Sequence, residues 1–115
     1  MQLYVLVLNH TEYLEPLFEA MLDKGIRGAT VLESTGMMRV LADDDNVDLP
    51  MVGLLRFMYS PERRASKTVF VVLHDEQLPL MAQVVEEVTG GLDQPDSGIA
   101  FALPLQYVKG LGEQG

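Results

Sequence analysis

Two histidines are the residues of this 115-residue chain whose chemistry is easiest to assign from type and position. His10 and His74 each come just after an apolar run that we interpret as a buried β-strand. If those strands are parallel neighbours, both imidazoles lie at one edge of the sheet, where acidic side chains could complete a metal site. The spacing matches no metal motif, and the same positions also suit hydrogen bonding at the start of a helix. The candidate acidic ligands are Glu12, Asp75 and Glu76.

No other side-chain pattern in the sequence indicates catalysis. Cysteine is absent, so thiolate chemistry and disulfides are excluded. The serines at positions 34, 60, 66 and 97 have no nucleophile motif around them, and the glycines form neither a Walker nor a Rossmann fingerprint. We therefore predict a protein that is not an enzyme.

Length and charge restrict the kind of protein further. A chain of 115 residues, 48% of them hydrophobic, is long enough for one packed domain and too short for two. A net charge of −9 argues against nucleic acid and anionic membranes as partners, because either would repel the chain. No apolar stretch reaches the ~18 residues that span a bilayer, and no signal peptide is evident. We predict a single cytoplasmic domain over residues 1–115.

Apolar periodicity predicts four strands and two helices. The strands are short apolar runs at residues 3–8, 29–32, 68–73 and 99–103, with a short edge strand at 105–111. The helices begin near Glu12 and Asp75, carry Pro16 and Pro79 in their first turns, and end at glycines 25 and 90. Their predicted core residues are Leu14, Leu17, Phe18, Met21 and Leu22 in the first helix, and Leu78, Met81, Val84, Val85 and Val88 in the second.

A long excursion, residues 37–67, separates the second and third strands. It contains an acidic cluster at 43–48, an apolar stretch at 49–59 and a basic cluster at 63–67. A loop of this length is uncommon unless it is functional. We predict one short helix within it and interpret the apolar stretch as a lid over apolar area or as a docking segment for a partner.

The order β-α-β followed by β-α-β predicts an α+β domain with a ferredoxin-like βαββαβ fold, an antiparallel sheet with two helices on one face. A weak internal similarity at a shift of about 63 residues, with Pro16 on Pro79 and Leu17 on Leu80, agrees with this arrangement. We expect the first and third strands to be central and parallel. Because both are apolar on both faces, the face without helices needs a cover, and another subunit is the simplest one.

Two groups of short segments carry a resemblance to a known family. The segment 25–31 (GIRGATV) leads to Gly36 and Arg39, and Thr89-Gly90 is followed by 98–105 (GIAFALPL). Over most of the chain apart from the excursion, these segments resemble the PII (nitrogen regulatory protein P-II) signal-transduction family. The resemblance implies a trimer of ferredoxin-like subunits that binds a nucleotide in clefts between subunits. It also implies that the long loop regulates a partner protein.

The resemblance further implies which residues hold the ligand. Glycines would let backbone N–H groups approach a phosphate, and an arginine would neutralise it. Three basic residues of the family correspond to Gly91, Ile99 and Gly110 here, so a less charged adenine nucleotide, another anion or a neutral ligand fits better than ATP. The implied ligand residues are Thr30, Gly36 and Arg39 before the long loop, and Gly90, Gly91 and Gly98 after the second helix.

Three functions stay open at this point. We predict a PII-like regulator in which a ligand at the subunit cleft orders the excursion and a partner protein recognises that order. One alternative is a metal-binding protein resembling the CutA divalent-cation tolerance family, with His10 and His74 as ligands. The other alternative is an oligomeric interaction platform without a small ligand.

Overall fold

The computed structural model describes residues 1–43, 66–94 and 97–111. As predicted, these residues form an α+β domain with a four-stranded antiparallel sheet and two main helices. A shorter helix, α2, begins the predicted excursion. The strands are β1 (Gln2–Leu8), β2 (Thr30–Ser34), β3 (Ser66–Leu73) and β4 (Gly98–Pro104). The helices are α1 (Leu14–Asp23), α2 (Met37–Asp43) and α3 (Leu78–Thr89), and single 3₁₀ turns precede α1 and α3.

The sheet has the strand order β2-β3-β1-β4, so β1 and β3 are central as expected. The expectation that these two strands run parallel is wrong. Leu8 at the end of β1 pairs with Lys67 near the start of β3, and Gln2 pairs with Leu73. The reason lies in the connections: α1 returns the chain so that β2 runs in the same direction as β1, and β3 pairs antiparallel with β2. β3 must therefore run against β1.

One face of the sheet packs against α1 and α3 and forms the core. Successive strand residues point to opposite faces, and every second residue of β1 and β3 contributes to this core. The predicted helix stripes are correct except for Leu22, which is 60% exposed in the last turn of α1. Burial raises the pKa of the Tyr4 phenol above its ordinary value. The buried core residues are Tyr4, Leu6, Leu8, Leu17, Met21, Ile26, Val69, Val71, Leu73, Met81, Val84 and Val85.

Helix α1 ends in a complete Schellman motif, as the Gly25-Ile26 pair predicts. Gly25 has a φ of 80°, which favours glycine, and its N–H donates to the Leu22 carbonyl at 3.0 Å. The Ile26 N–H donates to the Met21 carbonyl at 2.9 Å, and both side chains belong to the core. This motif directs the chain from the helix layer back to the sheet, where β2 begins.

The other face of the sheet is apolar and carries no charge among the described residues. Val5 on this face is buried opposite Phe70 and Phe101, its partners on the two neighbouring strands. Leu32, Ile99, Phe101 and Leu103 are 46–57% exposed. We call this surface the open face; by register its residues are Leu3, Val5, Val7, Thr30, Leu32, Ser34, Ser66, Thr68, Phe70, Val72, Ile99, Phe101 and Leu103.

The segment after β4 differs from its prediction. Residues 105–111 form no edge strand; they are irregular, and the Leu105 N–H donates to the Met1 carbonyl at 3.0 Å. Pro104, the last residue of β4, has no N–H to continue a ladder. Leu111 instead reaches Phe70 and Val72 on the far side of β1.

Most of the predicted excursion lies outside the described residues. This applies to positions 44–48 of the acidic cluster, to the apolar stretch at 49–59 and to Arg63 and Arg64. Its beginning forms the helix α2, and β3 begins at Ser66, two residues before the predicted start of the strand at Thr68. None of the described helices is long and apolar enough to cross a membrane.

Replacing Gly98 by alanine is expected to destabilise the fold. A Cβ at this position would lie 2.0 Å from the backbone oxygen of Val7, and the φ of 139° disfavours any other residue. We expect a loss of about 3 kcal/mol or more in the free energy of unfolding, measured by urea denaturation. Gly36→Ala is the control, because nothing lies within 4 Å of its Cβ position. Equal stability of the two variants would contradict this account of β4 packing.

Candidate functional site

The six ligand residues implied by the resemblance do not come together in one chain. One group, Gly36 and Arg39, follows β2. The other group precedes or begins β4 and consists of Gly90, Gly91 and Gly98. Both groups lie at the end of the sheet where β1 ends. β2 and β4 are the two outer strands, separated by three strand spacings of ~4.8 Å, or about 14 Å. A ligand that touches both groups would therefore need residues from two copies.

Thr30 lies at the other end of β2, next to a cleft formed by the described residues. The cleft has a volume of about 390 Å³, which is the size of a small-molecule site. We call it the Arg27 cleft. Its lining residues are Gly25, Ile26, Arg27, Gly28, Ala29, Thr30, Phe70, Val72, Gln77 and Leu111.

The Arg27 cleft combines an apolar floor with a few polar groups. Phe70, Val72 and Leu111 supply apolar surface, and Arg27 supplies a guanidinium. Arg27 is exposed and has no hydrogen bond or ion pair with the described residues. The side-chain oxygen of Gln77 accepts the His74 N–H at 2.8 Å, which leaves the Gln77 amide NH₂ as a donor. Such a cleft can bind a small organic anion with an apolar or planar part.

The accessible arginine is therefore a different one from the arginine that the sequence indicated. Arg39 lies in α2 and is only 7% exposed, so a ligand in solution reaches little of it in a single copy. Sequence reasoning treated Arg27 only as part of the GIRGATV segment and assigned it no role. The available signal was its place between two glycines, directly after the end of α1.

The glycines near α3 have structural roles in the described residues. Gly90 caps α3 with a φ of 79°, and its N–H donates to the Glu86 carbonyl at 3.0 Å. The Gly91 N–H donates to Thr89 Oγ1 at 3.2 Å. Gly98 allows β4 to approach β1 closely. The N–H groups of Gly90 and Gly91 are thus engaged within the chain, although phosphate binding would need them free.

The structure does not bring the two histidines together. Because β1 and β3 are antiparallel, His10 follows the end of β1 at one edge of the sheet, and His74 follows the end of β3 at the opposite edge. No group of three potential metal ligands occurs among the described residues. Each histidine instead starts a 3₁₀ turn with its backbone carbonyl. The His10 carbonyl accepts the Tyr13 N–H at 3.1 Å, and the His74 carbonyl accepts the Gln77 N–H at 2.9 Å. This is the hydrogen-bonding role at a helix start that the sequence also allowed.

A hydroxyl cluster joins β2 and β3 where the excursion leaves the sheet. Thr68 Oγ1 donates to Ser34 Oγ at 2.7 Å, Ser34 Oγ is 2.9 Å from Ser66 Oγ, and Ser66 Oγ donates to the Ser34 carbonyl at 2.8 Å. One residue further along, Lys67 Nζ donates to Glu33 Oε1 at 2.8 Å. Hydrogen bonding and the charge of Lys67 lower the pKa of Glu33 below its ordinary value. The two ends of the excursion are therefore held together at its base.

Comparison with known proteins does not assign this chain to a family. No protein-family model matches the sequence, and none of the curated proteins is significantly similar to it. The clefts, the open face and the residues that line them are therefore the features that indicate a function.

Ser66→Ala is expected to loosen the base of the excursion. The substitution removes the hydroxyl that lies 2.9 Å from Ser34 Oγ and donates to the Ser34 carbonyl, in a site where Ser66 is buried. We expect a loss of about 1–3 kcal/mol in the free energy of unfolding. Hydrogen exchange of the amides at 30–34 and 66–70 should accelerate in parallel. The control is Thr35→Ala, an exposed position; an effect of the same size there would contradict the proposed role of the cluster.

Proposed function

We propose that this protein is a PII-like, oligomeric regulatory protein that binds a small organic anion in the Arg27 cleft. Ligand binding would order the excursion between β2 and β3, and a partner protein would recognise the ordered excursion. The observation that carries the proposal is the position of the GIRGATV segment, whose residues 25–30 form one side of the Arg27 cleft. The strand order and the two helices on one face are compatible with the ferredoxin-like fold of that family.

The chemistry of the cleft favours a ligand that is both planar or apolar and negatively charged. Phe70 and Val72 can pack against a base or another flat group, and Arg27 can pair with a phosphate or carboxylate. Only one guanidinium is offered by the described residues of the cleft, so a ligand with one or two negative charges fits better than a triphosphate. Among nucleotides, an adenine nucleotide with few charges is our candidate.

The open face supports self-association through this side of the sheet. An acidic chain with a net charge of −9 repels its own copies wherever acidic side chains meet. The exposed acidic residues of the helix layer include Glu15, Glu19, Asp23, Glu86 and Glu87. The open face has no charged residue among those described, and its half-exposed Ile99, Phe101 and Leu103 form a continuous apolar row on β4. A second copy, with the same apolar face, is the cover that these properties favour; the resemblance gives the number as three.

Oligomerisation and ligand binding would be linked at this surface. Phe70 and Val72 belong both to the open face and to the floor of the Arg27 cleft. Thr30 and the Gly36-Arg39 segment lie at opposite ends of β2, which spans four residue steps or about 13 Å. A ligand could therefore contact both only if the second segment belonged to a neighbouring copy. Because Arg39 is only 7% exposed in its own copy, the exposed Gly36 is the residue of that segment that could act from the neighbouring copy.

The excursion would report ligand binding because its base is part of the same sheet. The hydroxyl cluster of Ser34, Ser66 and Thr68 lies on the open face, on the two strands that carry Thr30 and Phe70. A ligand that orders this region would shift the population of excursion conformations toward the one that a partner recognises. A cytoplasmic location, the partner's identity and the count of three subunits are parts of this proposal.

Self-association is tested by the mass of the protein in solution. We expect size-exclusion chromatography with light scattering to give a multiple of 12.8 kDa at micromolar concentration. Phe101→Asp should shift the mass toward one copy, because it buries a charge in the interface. Leu80→Asp, on the exposed side of α3, is the matched control and should leave the mass unchanged. A monomeric wild-type protein would contradict the proposal.

Ligand binding is tested by thermal unfolding with cyclic AMP, AMP, ADP, ATP and a set of simple carboxylates. A ligand at one hundred times its Kd should stabilise the protein by about 2.7 kcal/mol. Arg27→Ala should abolish the shift, whereas Lys24→Ala should retain it, because Lys24 carries the same charge and does not line the cleft. A shift that survives Arg27→Ala, or no shift with any of these anions, would overturn the assignment of the Arg27 cleft.

A further inference from the structure

A second cleft lies at the opposite end of the sheet from the Arg27 cleft. It is bounded by the residues after β1, the end of α3 and the beginning of β4, and it has a volume of about 270 Å³. The described lining residues are all polar or glycine, and none of them is a lysine or arginine. We call it the His10 cleft; it is lined by His10, Tyr13, Thr89, Gly90, Gln94 and Ser97.

Several donors around this cleft are already used within the chain. The Gly90 N–H donates to the Glu86 carbonyl and the Gly91 N–H to Thr89 Oγ1. The Thr89 hydroxyl donates to the Val85 carbonyl at 2.7 Å, and the Ser97 N–H to the Gln94 carbonyl at 3.3 Å. An anion in this cleft would therefore lack these donors.

The charges around the His10 cleft have the sign that attracts a cation. α3 ends at Gly90, so the negative end of the helix dipole and its last carbonyls lie at the cleft. Glu12 Oε1 is 3.4 Å from His10 Nδ1 at the rim. The Glu86 carboxylate lies close to Gly91, with Oε1 3.1 Å from the position that a Cβ would take. These three contributions are independent of one another and add to the same potential.

Two aromatic rings complete the cleft. The rings of His10 and Tyr13 have their centroids 5.9 Å apart and are tilted by 57°. The face of a phenol ring attracts an ammonium or guanidinium group by its quadrupole, which adds to the attraction of the carboxylates. Gln94 can donate or accept at the opposite side. The lining is thus suited to a positively charged head group with a short body.

We infer that the His10 cleft is a binding site for a small organic cation, a primary ammonium or guanidinium on a short chain. The negative end of α3 and the Glu12 carboxylate beside His10 attract the charged group. The side-chain oxygens of Gln94 and Ser97 can accept its hydrogen bonds, and the ring of Tyr13 lies beside it. The small volume restricts the ligand to a few heavy atoms beyond the head group. This site lies wholly within one copy, so it does not depend on the oligomer or on anion binding in the Arg27 cleft.

The test is a titration of the full chain, followed by amide chemical shifts in NMR spectra. The probes are butylammonium and agmatine, compared with 1-butanol and butyrate, which have similar chains but no positive charge. We expect saturable shifts at Gly90, Gly91 and Gln94 with the two cations only. Equal shifts with 1-butanol, stronger binding of butyrate or shifts that never saturate would overturn the inference. Saturable binding of Mg²⁺ at the same amides, without binding of the amines, would also overturn it.

Two substitutions with matched controls separate this site from a general effect of negative charge. Gln94→Lys places a cation at the lining and should weaken amine binding by about tenfold or more. Gln83→Lys, exposed on α3 and outside the cleft lining, should leave it unchanged. Glu12→Gln should weaken binding several-fold, because the Glu12 carboxylate lies beside His10; Glu15→Gln, which removes the same negative charge from a residue that is not paired with His10, should not. Equal effects of each variant and its control would assign the binding to the overall acidity of the protein and overturn the site.

Discussion

The antiparallel pairing of β1 with β3 is the constraint on which the remaining structure depends. It brings the end of β1 to the start of β3 and leaves His10 and His74 at opposite edges of the sheet. The antiparallel pairing of β3 with β2 brings the two ends of the excursion side by side, where Ser34 and Ser66 pair. A cleft therefore lies at each end of the sheet, with Arg27 at one end and His10 at the other.

The distribution of charge follows the layers of the fold. The exposed sides of α1 and α3 carry the acidic residues of these helices, because the opposite side of each helix packs against the sheet. The open face carries none among the described residues. An acidic protein can bring two of its copies together only where like charges do not meet. The same separation leaves Arg27 exposed beside an apolar floor, and it leaves the Glu12 carboxylate and the negative end of α3 near the His10 cleft.

Residues of the same strands and helices stabilise the fold in some positions and line a cleft in others. Gly98 is required because β4 approaches the Val7 carbonyl too closely for any side chain, and Gly90 is required to end α3. The family resemblance implies a ligand-binding role for both glycines, yet packing explains Gly98 and helix capping explains Gly90. The hydroxyl cluster is different in kind, since three hydroxyls on the mostly apolar open face stabilise only the junction of β2, β3 and the excursion. A junction of this kind can respond to a ligand without disturbing the core.

The sequence by itself determined the local structure and the composition of the two sheet faces. Short apolar runs located four strands, and 3.6-residue spacing located both main helices. Gly25-Ile26 located the end of α1, and the apolar residues on both sides of β1 and β3 indicated the open face. These features depend on neighbours a few residues apart, so a linear pattern contains them. Only the tertiary structure decided the direction of β3 against β1, the separation of His10 from His74 and the burial of Arg39. It also decided that Arg27 meets Leu111 across a cleft. Those features depend on contacts between residues far apart in the chain, whose geometry is set by how the sheet assembles, and no local pattern records it.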